Sequence, residues 1–123
     1  MFSVSLLICA IQLTTGFHST SKPVEWLSPL HHDFGNIPLS ISASIRFEFR
    51  NSGNSPLIID NVRTPCGCTA VEWPERPISP GEKATILVEY NAAKSGYFLK
   101  EIKVFFHGIR QAERLSVEGR VEE

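Results

Sequence analysis

The chain has 123 residues, with 12 lysines and arginines against 13 aspartates and glutamates. This length suits one domain and is sufficient to bury a hydrophobic core. The charges are scattered singly and nearly cancel, so the sequence lacks the basic stripe that is typical of nucleic-acid-binding proteins, and we expect no nucleic-acid partner. Nor does any repeat or low-complexity tract indicate a solenoid or a disordered tail.

The first residues differ in composition from the rest of the chain. Residues 1–13 carry no charge, and their apolar centre, Val4–Ile11, has the length of a signal-peptide core but is too short to cross a bilayer. We therefore predict a signal peptide and polar connector over residues 1–21, and no membrane span in the mature chain. The usual basic start is missing, since the first basic residue is Lys22. The alternative is a buried first strand or helix.

Cleavage between Gly16 and Lys22 would remove Cys9. Cys9 is not expected to carry a lipid anchor, because it lies too close to the N-terminus and because Ile8 occupies the preceding position, where a lipoprotein signal has a small residue. The mature chain would keep an even pair, Cys66 and Cys68, which suits an oxidising compartment. We therefore expect an exported protein, located in the periplasm, on the cell surface or secreted.

After the connector, stretches of alternating apolar and polar residues are separated by turn-forming residues. In Ser44–Asn51, the side chains of Ile45, Phe47 and Phe49 would face one way and the charged side chains the other, as in a half-buried strand. The segment Asn51–Pro56 has the residue types of a turn. On the same grounds we predict strands over residues 44–51, 57–62, 69–73, 84–91, 97–106 and 114–121.

The later strands have clear inward faces, and Gly119 interrupts the last of them, which indicates a bulge or a close backbone approach. No window of helical length shows helical periodicity. Short strands separated by turns predict an all-β fold, a two-sheet β-sandwich of about seven antiparallel strands over residues 30–123. The predicted inward residues of the later strands are Ile86, Val88, Tyr90, Phe98, Ile102, Val104, Phe106, Leu115 and Val117.

Several motifs together resemble an uncharacterised bacterial immunoglobulin-like family, domain of unknown function 1573. They are the segments DFGNI, FEFRNSGNSPLIIDNVRTPCGCT, ISPGEKATILVEYN, GYFLKEIKV and LSVEGRV, in that order between Leu30 and Val121. The hallmark of the family is Cys-Gly-Cys-Thr between the third and fourth strands. The resemblance implies an immunoglobulin-like β-sandwich, similar in fold to ASH, major-sperm-protein and pilus-chaperone domains, with export by bacteria and no established enzymatic activity. Relatives in fold act mainly in adhesion, scaffolding and assembly.

The segment Cys66-Gly67-Cys68 leaves four interpretations open, of which packing of two small apolar thiols is favoured. A disulfide would need the backbone to bend, since residues two apart in an extended strand have Cα atoms about 7 Å apart, and Gly67 is the residue that would allow the bend. Two thiolates could also bind Cu(I) or Zn(II), with His31, His32 or His107 as further ligands. A nucleophilic cysteine beside Arg63 is the fourth alternative.

Other candidate residues have ordinary structural explanations. His31 and His32 are expected to be solvated loop residues. Trp26 and Trp73 could be exposed ligand-binding aromatic residues, but Trp73 ends a strand before a proline and is expected to cover a sheet edge or the rim of the core. The four carboxylates that might serve a glycosidase lie on different predicted strands, and two of them, Glu48 and Glu89, are expected on solvated outer faces. They are Asp33, Glu48, Glu72 and Glu89.

The sequence therefore predicts a non-enzymatic binding or assembly module of the cell envelope, with no catalytic residues, no cofactor and no metal site. The expected partner is an unknown protein or glycan, met at an exposed strand edge or at the loops. The candidate binding residues are Cys66, Gly67, Cys68 and Thr69. The alternative function is thiol redox chemistry or the handling of a soft metal such as copper by the two cysteines. The oligomeric state is not predicted.

Overall fold

The computed structural model describes residues 22–123, and the predicted signal peptide and connector over residues 1–21 lie outside them. The described chain contains eight strands. Among these residues there is no helix that is long and apolar enough to cross a membrane. The strands are β1 (Val24–Trp26), β2 (His31–Pro38), β3 (Ala43–Asn51), β4 (Ile59–Arg63), β5 (Thr69–Glu72), β6 (Lys83–Tyr90), β7 (Gly96–Phe106) and β8 (Glu113–Glu122).

The strands form two four-stranded sheets. The first sheet has the order β1-β3-β6-β5, and the second sheet has the order β2-β8-β7-β4. The predicted all-β sandwich is confirmed. However, the strands number eight rather than seven, and they are not all antiparallel, because β2 runs parallel to β8 from His31↔Ser116 to Pro38↔Glu122.

The two strands that the sequence pattern missed, β1 and β2, lie between the predicted connector, which ends at residue 21, and the first predicted strand, which begins at residue 44. β1 has three residues and pairs with the end of β3, where Trp26 lies opposite Phe49. Of the eight residues of β2, only Ile37 is buried. β1 buries Val24 and packs Trp26 against the core, but three residues are too few to show a periodic pattern. β2 buries little side-chain surface, and its backbone pairing with β8 holds it in place.

The core lies between the two sheets and is built from the alternation seen in the sequence. The predicted inward residues of β6, β7 and β8 are all buried. Phe47 and Phe49 of β3 are also buried, whereas Ile45, nearer the end of that strand, is half-buried against the same core. Charged side chains of these strands lie on the outer faces, as expected of Glu48 and Glu89. The exception is Lys100, which is half-buried at an inward position of β7, opposite Val117.

The turn predicted after β3 is built around a buried side chain. The Asn51 amide nitrogen donates to the carbonyl oxygens of Ser55 (2.8 Å) and Ile78 (2.9 Å), and its oxygen accepts from the Gly53 N–H (2.9 Å). Asn51 is fully buried, so these three bonds satisfy polar groups that water does not reach. The asparagine is therefore a structural residue of the turn.

Candidate functional site

The Cys66-Gly67-Cys68 segment forms the turn by which the chain leaves β4 in the second sheet and enters β5 in the first. Cys66 and Cys68 are joined by a disulfide, and their Cα atoms are 5.2 Å apart. Of the four interpretations left open by the sequence, the disulfide is the one present, and packing of two free thiols is wrong. The backbone bends here because the segment passes from one sheet to the other. The hydrogen bond from the Thr69 N–H to the Cys66 carbonyl (3.4 Å) closes this turn.

Gly67 is not the cause of this bend. It does not have a positive φ, and a Cβ atom added to it would have no other atom within 4 Å. A side chain would therefore fit at this exposed position without backbone strain. The expectation that the disulfide depends on the freedom of a glycine is not supported by the geometry.

The buried hydroxyl of Thr69 lies beside the disulfide. Thr69 is the first residue of β5 and is 6% exposed. Its Oγ1 atom is 3.9 Å from Cys66 Sγ and 3.8 Å from Cys68 Sγ, within the range of weak hydrogen bonds to sulfur. On the far side of the turn, the Asn91 N–H donates to the Cys68 carbonyl (2.9 Å). The hydroxyl of one buried residue thus lies within reach of the sulfur atoms of two half-buried cysteines.

The three histidines within the described residues, His31, His32 and His107, contact side chains other than the two cysteines. His31 contacts Ser116 and Glu118, His32 packs edge-on against the ring of Phe34, and His107 is 3.3 Å from a carboxylate oxygen of Asp60. Within residues 22–123, no group of three or more histidine, cysteine or acidic side chains is placed to bind a metal ion.

Beside the turn, the second sheet has an open edge. β4 pairs only with Lys103–Phe106 of β7, so within the described chain the segment Gly96–Ile102 has a strand partner, β8, on one side only. A groove of about 330 Å³ begins where β4 departs. Its walls are formed by Arg63, Thr64, Pro65, Glu101, Lys103 and Phe105.

The direction of the backbone groups on this edge follows from the neighbouring bonds. The His107 N–H donates to the Ile58 carbonyl at 2.8 Å, on the β4 side of β7. Backbone groups alternate sides along a strand, so the N–H groups of Tyr97, Leu99 and Glu101 point to the same side, where no strand pairs with them in the described structure. The side chains of Tyr97 and Leu99 are 59% and 55% exposed on the outer face.

A row of polar side chains that the sequence pattern missed crosses the outer face of the second sheet. His31 Nδ1 is 2.6 Å from Ser116 Oγ, its Nε2 is 2.5 Å from Glu118 Oε1, and the Tyr97 hydroxyl donates to Glu118 Oε2 at 2.8 Å. The bonds from Tyr97 and then from His31 lower the pKa of Glu118. The same bond to Glu118 raises the pKa of Tyr97. His31 is exposed, as predicted, but it lies on β2 and has side-chain partners, so its prediction as a loop residue is wrong. His32 is half-buried on the same strand, so the prediction of a solvated loop residue is wrong for it.

Trp73 is half-buried and packs against the core, as expected of a residue covering its rim. It also lines a groove of about 450 Å³ on the outer face of the first sheet. Two of the scattered carboxylates, Glu48 and Glu72, lie in the same groove, together with Arg46, Arg76 and Lys83. The other two, Asp33 and Glu89, do not line it; Asp33 accepts the N–H of Gly35 at 2.8 Å on β2.

A family model described as a protein of unknown function (DUF1573) matches residues 26–121. No curated protein matches the sequence. Among solved structures, the chain is similar to PapD-like (ASH) domain 7 of human CEP192, with a TM-score of 0.70, 10% identity, and coverage of 84% of this chain and 87% of that chain.

A protein of unknown function from Porphyromonas gingivalis W83 has a TM-score of 0.67 and 17% identity, over 79% of this chain and 46% of that one. The VesB protease of Vibrio cholerae has a TM-score of 0.64 and 13% identity, over 83% of this chain and 32% of that one. The chain thus spans less than half of each of these two proteins. At such identities the likenesses show the fold alone.

Proposed function

Since the chain belongs to the DUF1573 family, whose function is unknown, we propose from its own surface that it is a non-enzymatic binding module that receives an extended segment of a partner protein along β7. The observation that carries this proposal is the open edge at Gly96–Ile102. An unpaired row of N–H and C=O groups is a template for an added strand, and strand addition is a common mode of peptide recognition.

The side chains around the edge suit such a partner. Leu99 and Tyr97 are the largest exposed apolar side chains of β7, and an added strand would place alternate side chains beside them. Glu101 is paired with Arg114 (3.2 Å), while Arg63 and Lys103 bring positive charge to the groove at the end of the edge. We therefore expect a segment with alternating apolar residues and an acidic residue near the groove.

The polar row of Ser116, His31 and Glu118 does not lead us to propose hydrolysis. Its bonds connect a hydroxyl, an imidazole and a carboxylate, as in a serine hydrolase. However, the row lies on an open sheet face, where the side chain of His31 is 45% exposed. Hydrolytic sites enclose the nucleophile in a concave pocket that also holds the oxyanion.

The same proposal places the protein outside the cytoplasm. Two observations support export: the uncharged apolar segment Val4–Ile11 and the disulfide between Cys66 and Cys68, which would persist in an oxidising compartment. Fractionation of the native host followed by mass spectrometry of the N-terminus tests it. A chain that starts between residues 17 and 22 in the envelope or medium is expected; an uncleaved chain in the cytoplasm would contradict export.

Strand addition is tested with a partner recovered from envelope fractions and with two variants at one position. Leu99→Pro removes an N–H that points to the open edge, whereas Leu99→Ala keeps that N–H and removes the side chain. We expect Leu99→Pro to abolish binding, Leu99→Ala to weaken it severalfold, and the partner to slow amide hydrogen exchange at Tyr97, Leu99 and Glu101. Equal losses in both variants without amide protection would place binding on the outer face and contradict strand addition.

A further inference from the structure

The Cys66–Cys68 disulfide contributes little as a cross-link. A disulfide stabilises a fold mainly by closing a loop of the unfolded chain, and the effect grows with loop length. Here the two cysteines are two positions apart. The strands on either side are held by other contacts, since β4 pairs with β7 and β5 pairs with β6 over Thr69–Glu72. Reduction should therefore leave the sandwich folded.

The surroundings of the two sulfur atoms suit the formation of a thiolate. The Thr69 hydroxyl lies within 3.9 Å of both sulfur atoms, and they are its hydrogen-bond partners in the described chain. A disulfide sulfur is a weak acceptor, but a thiolate is a strong one, so the buried hydroxyl would bind more tightly to whichever sulfur is released. Both cysteines are half-buried rather than enclosed, so an incoming thiol can reach them.

We propose that Cys66–Cys68 is a thiol–disulfide exchange site that takes two electrons from a pair of cysteines in another protein. This activity is independent of strand addition at β7. Three features support it: the fold should tolerate the loss of the Cys66–Cys68 bond, an incoming thiol can reach the two sulfur atoms, and the Thr69 hydroxyl is placed to stabilise the leaving thiolate.

The exchange proceeds in two steps. A thiolate of the partner attacks one sulfur of the Cys66–Cys68 bond, which breaks; a mixed disulfide forms, and the other cysteine leaves as a thiolate that accepts the Thr69 hydrogen bond. The second thiolate of the partner then attacks the partner's sulfur in the mixed disulfide, the S–S bond between the two proteins breaks, and the remaining cysteine of this chain leaves as a thiolate. The partner becomes a disulfide, and Cys66 and Cys68 become a dithiol after taking up the two protons. A small-molecule or protein disulfide, itself reduced to two thiols, restores the starting bond.

The test uses the full chain in its oxidised form and a synthetic peptide with two reduced cysteines as the probe. Alkylation and mass spectrometry follow both thiol pairs, and circular dichroism follows the fold. We expect one peptide disulfide to form for each Cys66–Cys68 bond lost, an unchanged fold, and catalytic turnover when oxidised glutathione is added. A peptide that stays reduced, or exchange that begins only when the sandwich unfolds, would overturn the proposal.

Two matched threonine variants test the role of the hydroxyl. Thr69→Val removes the donor with little change of shape, and Thr64→Val removes a hydroxyl that bonds to the Cys66 carbonyl (3.4 Å) rather than to sulfur. We expect exchange to slow about tenfold in Thr69→Val, the loss expected for one hydrogen bond to a charged atom, and to keep its rate in Thr64→Val. Equal rates in both variants would refute the assignment of Thr69 as a positioning residue.

Discussion

Phe98 and Gly119 lie directly opposite each other on β7 and β8, and the ring of Phe98 occupies the space that a side chain at Gly119 would need. A Cβ atom at Gly119 would lie 2.9 Å from two ring carbons of Phe98 and 3.0 Å from the carbonyl oxygen of Gly35. The Phe98 ring is stacked on Tyr90, with centroids 3.8 Å apart. It therefore has little room to move away.

Gly119→Ala should destabilise the sandwich. The new methyl group would meet a packed ring and a backbone oxygen, and overpacking of this kind costs about 1–3 kcal/mol. The cause is steric, because Gly119 does not have a positive φ. Urea unfolding monitored by fluorescence would give the change in the free energy of unfolding. A variant as stable as the wild type would show that Phe98 and Gly35 shift at no cost.

Gly67→Ala is the matched substitution at a glycine with open surroundings. Nothing lies within 4 Å of the position that its Cβ atom would take, and the φ of Gly67 is not positive. We expect the variant to keep the disulfide and to be as stable as the wild type or more stable by about 0.4–1 kcal/mol, because alanine restricts the unfolded chain. Mass spectrometry after alkylation and urea unfolding check both points. Free thiols in the folded variant would show that the glycine is needed after all.

The sequence predicts the strands that bury one face, and it misses a strand that backbone pairing holds in place. Alternation predicted β3, β6, β7 and β8 because each buries one face and exposes the other. It also marked Gly119 as an irregular position. It could not predict β2, whose place is set by parallel backbone pairing with β8, a strand far away in the sequence.

For the candidate sites too, the sequence shows local spacing but does not show contacts between distant residues. The spacing of Cys66 and Cys68 is visible in the sequence, but whether they bond depends on the change of sheet between β4 and β5. The contacts of His31 with Ser116 and Glu118 join residues 85 and 87 positions apart. Only the register between β2 and β8 brings them together, and no local pattern encodes that register.

Asn51→Ala should be among the more destabilising polar substitutions. It would remove three hydrogen bonds and leave the Ser55 carbonyl and the Gly53 N–H without their Asn51 partner, while the Ile78 carbonyl would keep the bond from the Leu57 N–H. We expect a loss of about 2–4 kcal/mol, since each unsatisfied buried polar group costs about 1–3 kcal/mol. Asn54→Ala, in the exposed part of the same turn, should stay within about 0.5 kcal/mol of the wild type. Similar values in thermal or urea unfolding would mean that the Asn51 bonds are replaced by water.

Tyr97→Phe should raise the pKa of Glu118. The Tyr97 hydroxyl donates to Glu118 Oε2, and this bond is the largest cause of the lowered pKa, ahead of the bond from His31. The fold therefore favours the ionised carboxylate. Its contribution to stability is fully present above the ordinary glutamate pKa of about 4.3, and it is lost as the pH falls through the lowered pKa of the folded protein.

Removal of the tyrosine hydroxyl should shift that loss to higher pH. An NMR titration of the Glu118 carboxyl carbon in the wild type and in Tyr97→Phe measures the change. The reciprocal variant, Glu118→Gln, should lower the pKa of Tyr97 towards its ordinary value of about 10, because the bond to Glu118 is the largest cause of the raised value. The same bond acts on both groups, so a shift in one titration with no shift in the other would show that the two side chains do not share this bond in solution.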